Sequence, residues 1–138
     1  ALALLQQRIL SSDFEVETSI ECEARIRAVP LDVYSVVNNL IVNSMDALGA
    51  EPPPRKIKIR LLSDSGWAVL SVEDNGPGVP LAIQDKIFEP FFTTKPVGKG
   101  TGLGLSVSLT LVESYQGTLT VRNQPGGGAC FVVRLPKV

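Results

Sequence analysis

Apolar and polar residues alternate in short runs along this chain, and the runs come in pairs separated by stretches of helical period. FEVETSI (14–20) sets Phe14, Val16, Thr18 and Ile20 against Glu15, Glu17 and Ser19, the pattern of a half-buried strand. ARIRAV (24–29) reads as its partner, ended by Pro30. From Asp32 to Leu48 the period lengthens. At about 100° per residue, Val33, Val37, Leu40, Ile41, Met45 and Leu48 share one face, with Asn39, Asn43 and Asp46 in a polar line opposite. Gly49 and Pro52-Pro53-Pro54 stop that helix. KIKIRLL (56–62) and WAVLSVED (67–74) form the next pair, and TLTVRN (118–123) and ACFVVRL (129–135) form the last, joined through QPGGG. Residues 101–116 are apolar almost all round and predict a buried helix capped by Gly117, while 79–100 is irregular apart from helical hints in LAIQDKIF. ALALLQQRIL (1–10) adds a short helix carrying Leu2, Leu5 and Ile9. Paired strands divided by helices predict an α+β fold with helices on one face of a mixed sheet, not the single βαβ alternation of a Rossmann fold.

A chain of 138 residues fits one domain and buries roughly two-thirds of the surface it exposes unfolded. Its 13 basic and 14 acidic residues leave a net charge of −1, without the basic excess of a nucleic-acid binder. Cys22 and Cys130 fit neither a disulfide framework nor CxxC metal spacing, and read as reduced structural thiols. No apolar run reaches the ~20 residues of a membrane span, and no secretory leader is read. The sequence starts mid-pattern without a Met, as a piece of something larger does. Histidine is absent, which removes Ser-His and Cys-His pairs, HExxH zinc sites and any phosphoryl-accepting histidine within the chain. Chemistry here is built from Asn, Asp, Lys and backbone.

Two loops concentrate glycine. In GKGTGLGLS (98–106), Gly98, Gly100, Gly102 and Gly104 lead into a helix, whose first N–H groups and about half a positive charge suit phosphate oxygens. The spacing is not that of a P-loop. In DNGPGVP (74–80), Asp74 shares the parity of Ala68, Leu70 and Val72 and so points inward at a strand end. A buried carboxylate needs donors, and an exocyclic amine such as adenine N6 supplies one, with Gly76 and Gly78 leaving room for a flat ring. Either loop alone also fits an ordinary turn. The amide oxygen of Asn43 suits Mg²⁺, and Lys95 and Lys99 are candidates to neutralise phosphate or plain solvated lysines.

NNLIVNSMDAL (38–48), DNGPGV (74–79), IFEPFFTTK (87–95) and GTGLGLSVS (100–108) resemble, in order, the N box, first glycine box, F box and second glycine box of sensor histidine kinases. The resemblance implies a two-layer α/β sandwich, the Bergerat ATP-binding fold. It has a mixed sheet of about five strands, three main helices on one face, and an ATP lid, about 89–100, that moves in the absence of nucleotide. The implied ATP contacts are Asn39, Asn43, Asp46, Asp74, Gly76, Gly78, Val79, Ile87, Phe92, Thr94, Lys95, Lys99, Gly100, Thr101, Gly102, Leu103 and Gly104. Asn43 takes the role of Mg²⁺ ligand and, with Lys95, the catalytic role; Phe88, Phe91 and Phe92 pack the lid. The FFTTKP and NSMDAL wording looks most like the nitrogen-regulation and C4-dicarboxylate-sensing branches. In the chaperone and mismatch-repair relatives a Glu precedes the metal-binding Asn by four residues; here Asn39 stands there and cannot act as a general base. Slow hydrolysis by water and transfer to an imidazole follow. The implied partners are a separate dimerisation and phosphoacceptor domain in a homodimeric parent protein and a response-regulator receiver domain, with no nucleic acid and no membrane contact. The implied location is cytoplasmic, with the parent protein free or anchored in the inner membrane. A stand-alone serine kinase of the anti-sigma-factor type, a nucleotide-gated interaction module and a chaperone-type ATPase stay as alternatives.

Overall fold

Strands β1 (Phe14–Ile20), β2 (Arg55–Asp64), β3 (Trp67–Asp74), β4 (Thr118–Asn123) and β5 (Ala129–Pro136) form one sheet in the order β1-β2-β3-β5-β4. This is the arrangement in the computed structural model of the chain, which describes residues 14–21, 23–49, 51–93 and 103–138. β1 and β2 run parallel, so the chain between them must cross over the sheet, and helix α1 (Pro30–Leu48) makes that crossing. The other neighbours are antiparallel. β2 and β3 meet through Ser65 and Gly66, with Ser65 at φ 55°.

ARIRAV is not a strand. Among the described residues its only ladder contact is a single bridge from Ile26 to Lys137. β1 pairs instead with β2, Val16 opposite Ile57, so a distant partner displaces the adjacent hairpin that local alternation suggests. Pro30 opens α1 rather than ending a strand, and the helix starts two residues before Asp32 because proline loses no hydrogen bond at a first helical position.

The interior lies between the helices and one sheet face. Ile57 and Val72 point inward, with Ile59, Leu61 and Leu70 partly buried beside them, while Lys56 and Lys58 alternate outward. Leu40 and Leu48 from α1, Val112 from helix α2 (Gly104–Ser114), and Phe131 from β5 are all but inaccessible to solvent. Burying one such side chain contributes about 1.5–3 kcal/mol. The inward stripe of α1 also includes Val36, which the sequence reading omits. Two 3₁₀ turns, Leu81–Ile83 and Lys86–Phe88, seat Ile87 in the core and bring Phe88 edge-on to Phe131, ring centroids 6.4 Å apart.

α2 is shorter than 101–116 and is not buried all round. Val107 is exposed, while Ser106 and Ser108 are buried. Gln116 rather than Gly117 takes the left-handed turn after the helix, at φ 59°. Gly117 answers a different demand: a Cβ there meets the Arg134 carbonyl oxygen at 2.4 Å, so only glycine lets β5 pass this close. The expected helix over 1–10 lies outside the described residues, leaving two α-helices among those described. Cys130 is a buried free thiol on β5, as expected, and burial pushes it above its ordinary pKa; Cys22 lies outside the described residues.

Candidate nucleotide site

β3 ends on its most buried polar residue. Asp74 is 5% exposed, and its Oδ1 accepts hydrogen bonds from the backbone N–H groups of Gly76 (2.9 Å) and Ala129 (3.2 Å). Burial pushes the carboxyl above its ordinary pKa, and those two N–H groups and the Ser44 hydroxyl act against the rise. The inward parity read from the sequence is therefore correct. Among the described residues none donates a full hydrogen bond to Oδ2, and Ser44 Oγ on α1 is itself buried without a partner.

The glycines here fit close approach. A Cβ on Gly76 would crowd Asp74 Oδ1 at 3.1 Å and Leu48 at 3.3 Å. Gly78 sits at φ 79°, and a Cβ there would lie 2.7 Å from Asn123 Oδ1. Gly128, in the β4–β5 turn, is pressed against the Asp74 backbone, where a Cβ would overlap the carbonyl oxygen. This third glycine was read from the sequence only as part of a turn.

Three further side chains, which the sequence does not single out, hold this loop. Asn123 at the end of β4 grips the loop after Gly78: Val79 N donates to its Oδ1 at 2.8 Å and its Nδ2 donates to Val79 O at 2.9 Å. Gln84 Nε2 donates to the same carbonyl at 3.0 Å. Asn75 ties the loop's start to β2, with Lys56 N donating to its Oδ1 and its Nδ2 donating to Pro54 O, each at 2.8 Å. An Asn at a strand end signals a turn in any sequence; which loop it holds depends on the β5 pairing, which is invisible locally.

The polar line of α1 is half-buried rather than solvated. Asn39 Nδ2 donates to Gly104 O (3.2 Å) and to Ser108 Oγ (3.1 Å), so it ties α1 to the first turn of α2. Asn43, one turn on, and Asp46 continue that line toward the Asp74 end. Val79 and Phe92 pack partly buried against the core, and Ile87 is buried in it. Phe91 departs from expectation. It is exposed, at φ 65°, and is not packed against the core of the described residues. Leu103 and Gly104 begin α2, where Leu103 O accepts from Val107 N and Ser106 Oγ. Thr94, Lys95, Lys99, Gly100, Thr101 and Gly102 lie outside the described residues, as does the lid from residue 94 on.

Asn43 and Asp46 thus lie on α1 between Asn39, which is tied to the start of α2, and Leu48, which borders Gly76 beside Asp74 at one end of the sandwich; Gly78 borders Asn123. An apolar cleft of about 270 Å³ opens at the other end, lined by residues such as Val33, Leu70 and Leu135. Its two polar residues satisfy each other, Tyr115 donating to Asp32, so nothing there converges on a ligand.

Fold and loops together define an ATPase domain of the two-layer kind. The profile of the family described as histidine kinase-, DNA gyrase B- and HSP90-like ATPase matches residues 28–138, and the chain belongs to that family. It is 44% identical to the two-component sensor PprA of Pseudomonas aeruginosa over 99% of this chain and 15% of that protein. It is 33% identical to the C4-dicarboxylate transport sensor protein DctB of the same species, over 98% of this chain and 22% of that one. The catalytic domain of histidine kinase ThkA superposes with TM-score 0.86 at 31% identity, covering 98% of this chain and 86% of that one. ThkA in complex with response regulator TrrA superposes with TM-score 0.82 at 28% identity, over 99% and 38%. The chain therefore spans less than a quarter of these two sensor proteins and nearly all of a histidine-kinase catalytic domain.

Proposed function

We propose that this domain binds Mg-ATP and donates the γ-phosphoryl group to a histidine on a separate dimerisation domain, in two-component signalling. One observation carries the adenine end: a buried Asp74 with one oxygen saturated by backbone N–H groups and the other open to a donor. An exocyclic amine matches that acceptor, and a guanine carbonyl in the same place meets it acceptor to acceptor. Gly76 and Gly78 keep the adjoining wall free of side chains. The buried Ser44 hydroxyl eases the charge of the same carboxyl.

Asn43 fits a magnesium site through its neutral amide oxygen, and Mg²⁺ there supplies charge neutralisation for the phosphates. The N-terminal turn of α2, which follows the second glycine box and has no side-chain cap, would offer backbone N–H groups to phosphate oxygens. Asn39 has no acid–base chemistry to activate water, and its amide is engaged with α2. Lys95 is the candidate to balance charge on the transferred group. Because the chain contains no histidine, the acceptor stands on another domain, and the receiver partner is a response regulator of the kind TrrA is for ThkA. The parent protein is a homodimer in this reading, with this single domain on the cytoplasmic side; no described helix is long and apolar enough to cross a membrane.

Calorimetric titration with a non-hydrolysable ATP analogue, with and without Mg²⁺ and beside a GTP analogue, tests the reading. Adenine-selective binding strengthened by Mg²⁺ is expected. Equal binding of both nucleotides, or of neither, overturns it.

A further inference from the structure

Three hydroxyls of α2 turn back on their own helix. Ser106 Oγ donates to Leu103 O, Thr110 Oγ1 to Ser106 O, and Ser114 Oγ to Leu111 O. Each takes a carbonyl three or four residues back, the ordinary refuge of a helical hydroxyl. Ser108 makes a different contact. It is fully inaccessible to solvent, and its Oγ accepts a hydrogen bond from Asn39 Nδ2 on α1, at 3.1 Å. The same nitrogen donates to Gly104 O at 3.2 Å.

Gly104 and Ser108 stand one turn apart on one face of α2, so a single amide group bridges both. An amide nitrogen carries two protons, and both are spent on α2. The Gly104 carbonyl can only accept, so the amide cannot be reversed, and Oδ1 takes no part in either bond. One hydrogen bond alone is a pivot about which the amide plane swings; the second, to Ser108, fixes the plane. Alanine suits a buried helical position better, both by propensity and by what its burial costs. The contact with Asn39 is what the hydroxyl adds at position 108.

We propose that Ser108 is a positioning residue for the triphosphate end of the site, acting through Asn39. This rests on the Mg-ATP reading above, in which Asn39 is a nucleotide contact one turn before Asn43 on α1. Ser108 itself is buried and touches no ligand. Its hydroxyl holds the Asn39 amide in one orientation before the nucleotide arrives, so binding does not have to order that side chain. Without the hydroxyl, the amide keeps only its bond to Gly104 O and its oxygen loses a fixed place. Recognition of the base at Asp74 does not pass through this contact.

The test is a double-mutant cycle of Ser108→Ala and Asn39→Ala, read as calorimetric affinity for a non-hydrolysable ATP analogue with Mg²⁺ and for adenosine. Ser108→Ala is expected to weaken the analogue about fivefold, the scale of one lost hydrogen bond. It is expected to leave adenosine affinity unchanged and to add no further loss in the Asn39→Ala chain. Ser108→Cys fills the space of the hydroxyl but accepts hydrogen bonds poorly, so it is expected to follow Ser108→Ala; full recovery there assigns the loss to a void and overturns the role. A merely structural serine weakens both ligands equally, or costs the same with and without Asn39, and either result overturns the proposal. So does analogue affinity equal to that of the unaltered chain, which leaves the ATP reading intact. Failure of the unaltered chain to bind the analogue overturns that reading and this role with it.

Discussion

At the scale of a residue, Asp74 shows how a fold holds a group that opposes it. Its native pKa is raised from 3.8, chiefly by burial. Below 3.8 the carboxyl is protonated in both folded and unfolded chains and carries no penalty. As pH rises through 3.8 toward the raised native value, the unfolded chain ionises first and folding stability falls; above the native value the loss is constant. Each tenfold difference between the native and unfolded ionisation constants costs the folded chain about 1.4 kcal/mol. Asp74→Asn keeps an oxygen for the Gly76 and Ala129 N–H groups while removing the charge. It is therefore expected to melt higher than the unaltered chain at neutral pH, with the gap closing below 3.8, as thermal melts across pH will show. The same variant presents an amide and is expected to lose adenine-nucleotide binding by calorimetry. A variant that binds normally removes Asp74 from base recognition. This residue was legible beforehand, because β3 alternates cleanly and parity alone turns its last carboxylate inward. Its donor from Ala129 was not, since that contact spans 55 residues and depends on β5 pairing beside β3.

At the scale of an element, the loop after β3 is held from outside by β4. Asn123 makes the two bonds that a neighbouring strand makes, donating to and accepting from one residue, Val79. These bonds are solvent-exposed, so Asn123→Ala is expected to lower global stability by only about 1 kcal/mol. The loop itself loses more. Amide exchange at Val79 is expected to quicken, and affinity for the ATP analogue to fall several-fold. Gly78 adds an independent handle, because its substitution meets two obstacles, the left-handed φ and the Asn123 Oδ1. Gly78→Ala is expected to cost more in the unaltered chain than in the Asn123→Ala background, where only the backbone strain remains; equal costs in a double-mutant cycle refute the contact. Glycine itself was legible as loop chemistry, whereas its partner was not. The same limit explains the misread pairing of 14–20 with 24–29: alternation reports a strand's two faces but never its neighbour. α2 was read as wholly buried because Val107 and Leu109 look interior by type, yet the helix lies on the sheet by one side and turns Val107 to solvent.

At the scale of the molecule, α1 and α2 are joined at both ends by different chemistry. Near the Asp74 end, Asn39 Nδ2 reaches Gly104 O and Ser108 Oγ. At the far end, Val29 N donates to the Tyr115 hydroxyl, which in turn donates to Asp32. Between the two lies apolar packing, including Val36, Leu40 and Val112. The two ends are expected to answer differently when cut. Tyr115→Phe removes the hydroxyl beside the apolar cleft, far from Asp74, and is expected to lower the melting temperature by a few degrees with nucleotide affinity unchanged. Asn39→Ala cuts the link where α2 begins, so the turn that would receive the phosphates loses its tether to α1. It is expected to lower both melting temperature and affinity, and the affinity loss to be larger for the triphosphate analogue than for adenosine, which has no phosphate to misplace. Calorimetry with both ligands separates the cases. Equal losses for adenosine and the triphosphate would place the effect of Asn39 at the base end, and an unchanged affinity would make it a helix tie alone. A domain built this way can hold its far end rigid while the end that carries Asp74, Asn43 and the start of α2 adapts to the nucleotide, because no described hydrogen bond links Tyr115 to that end.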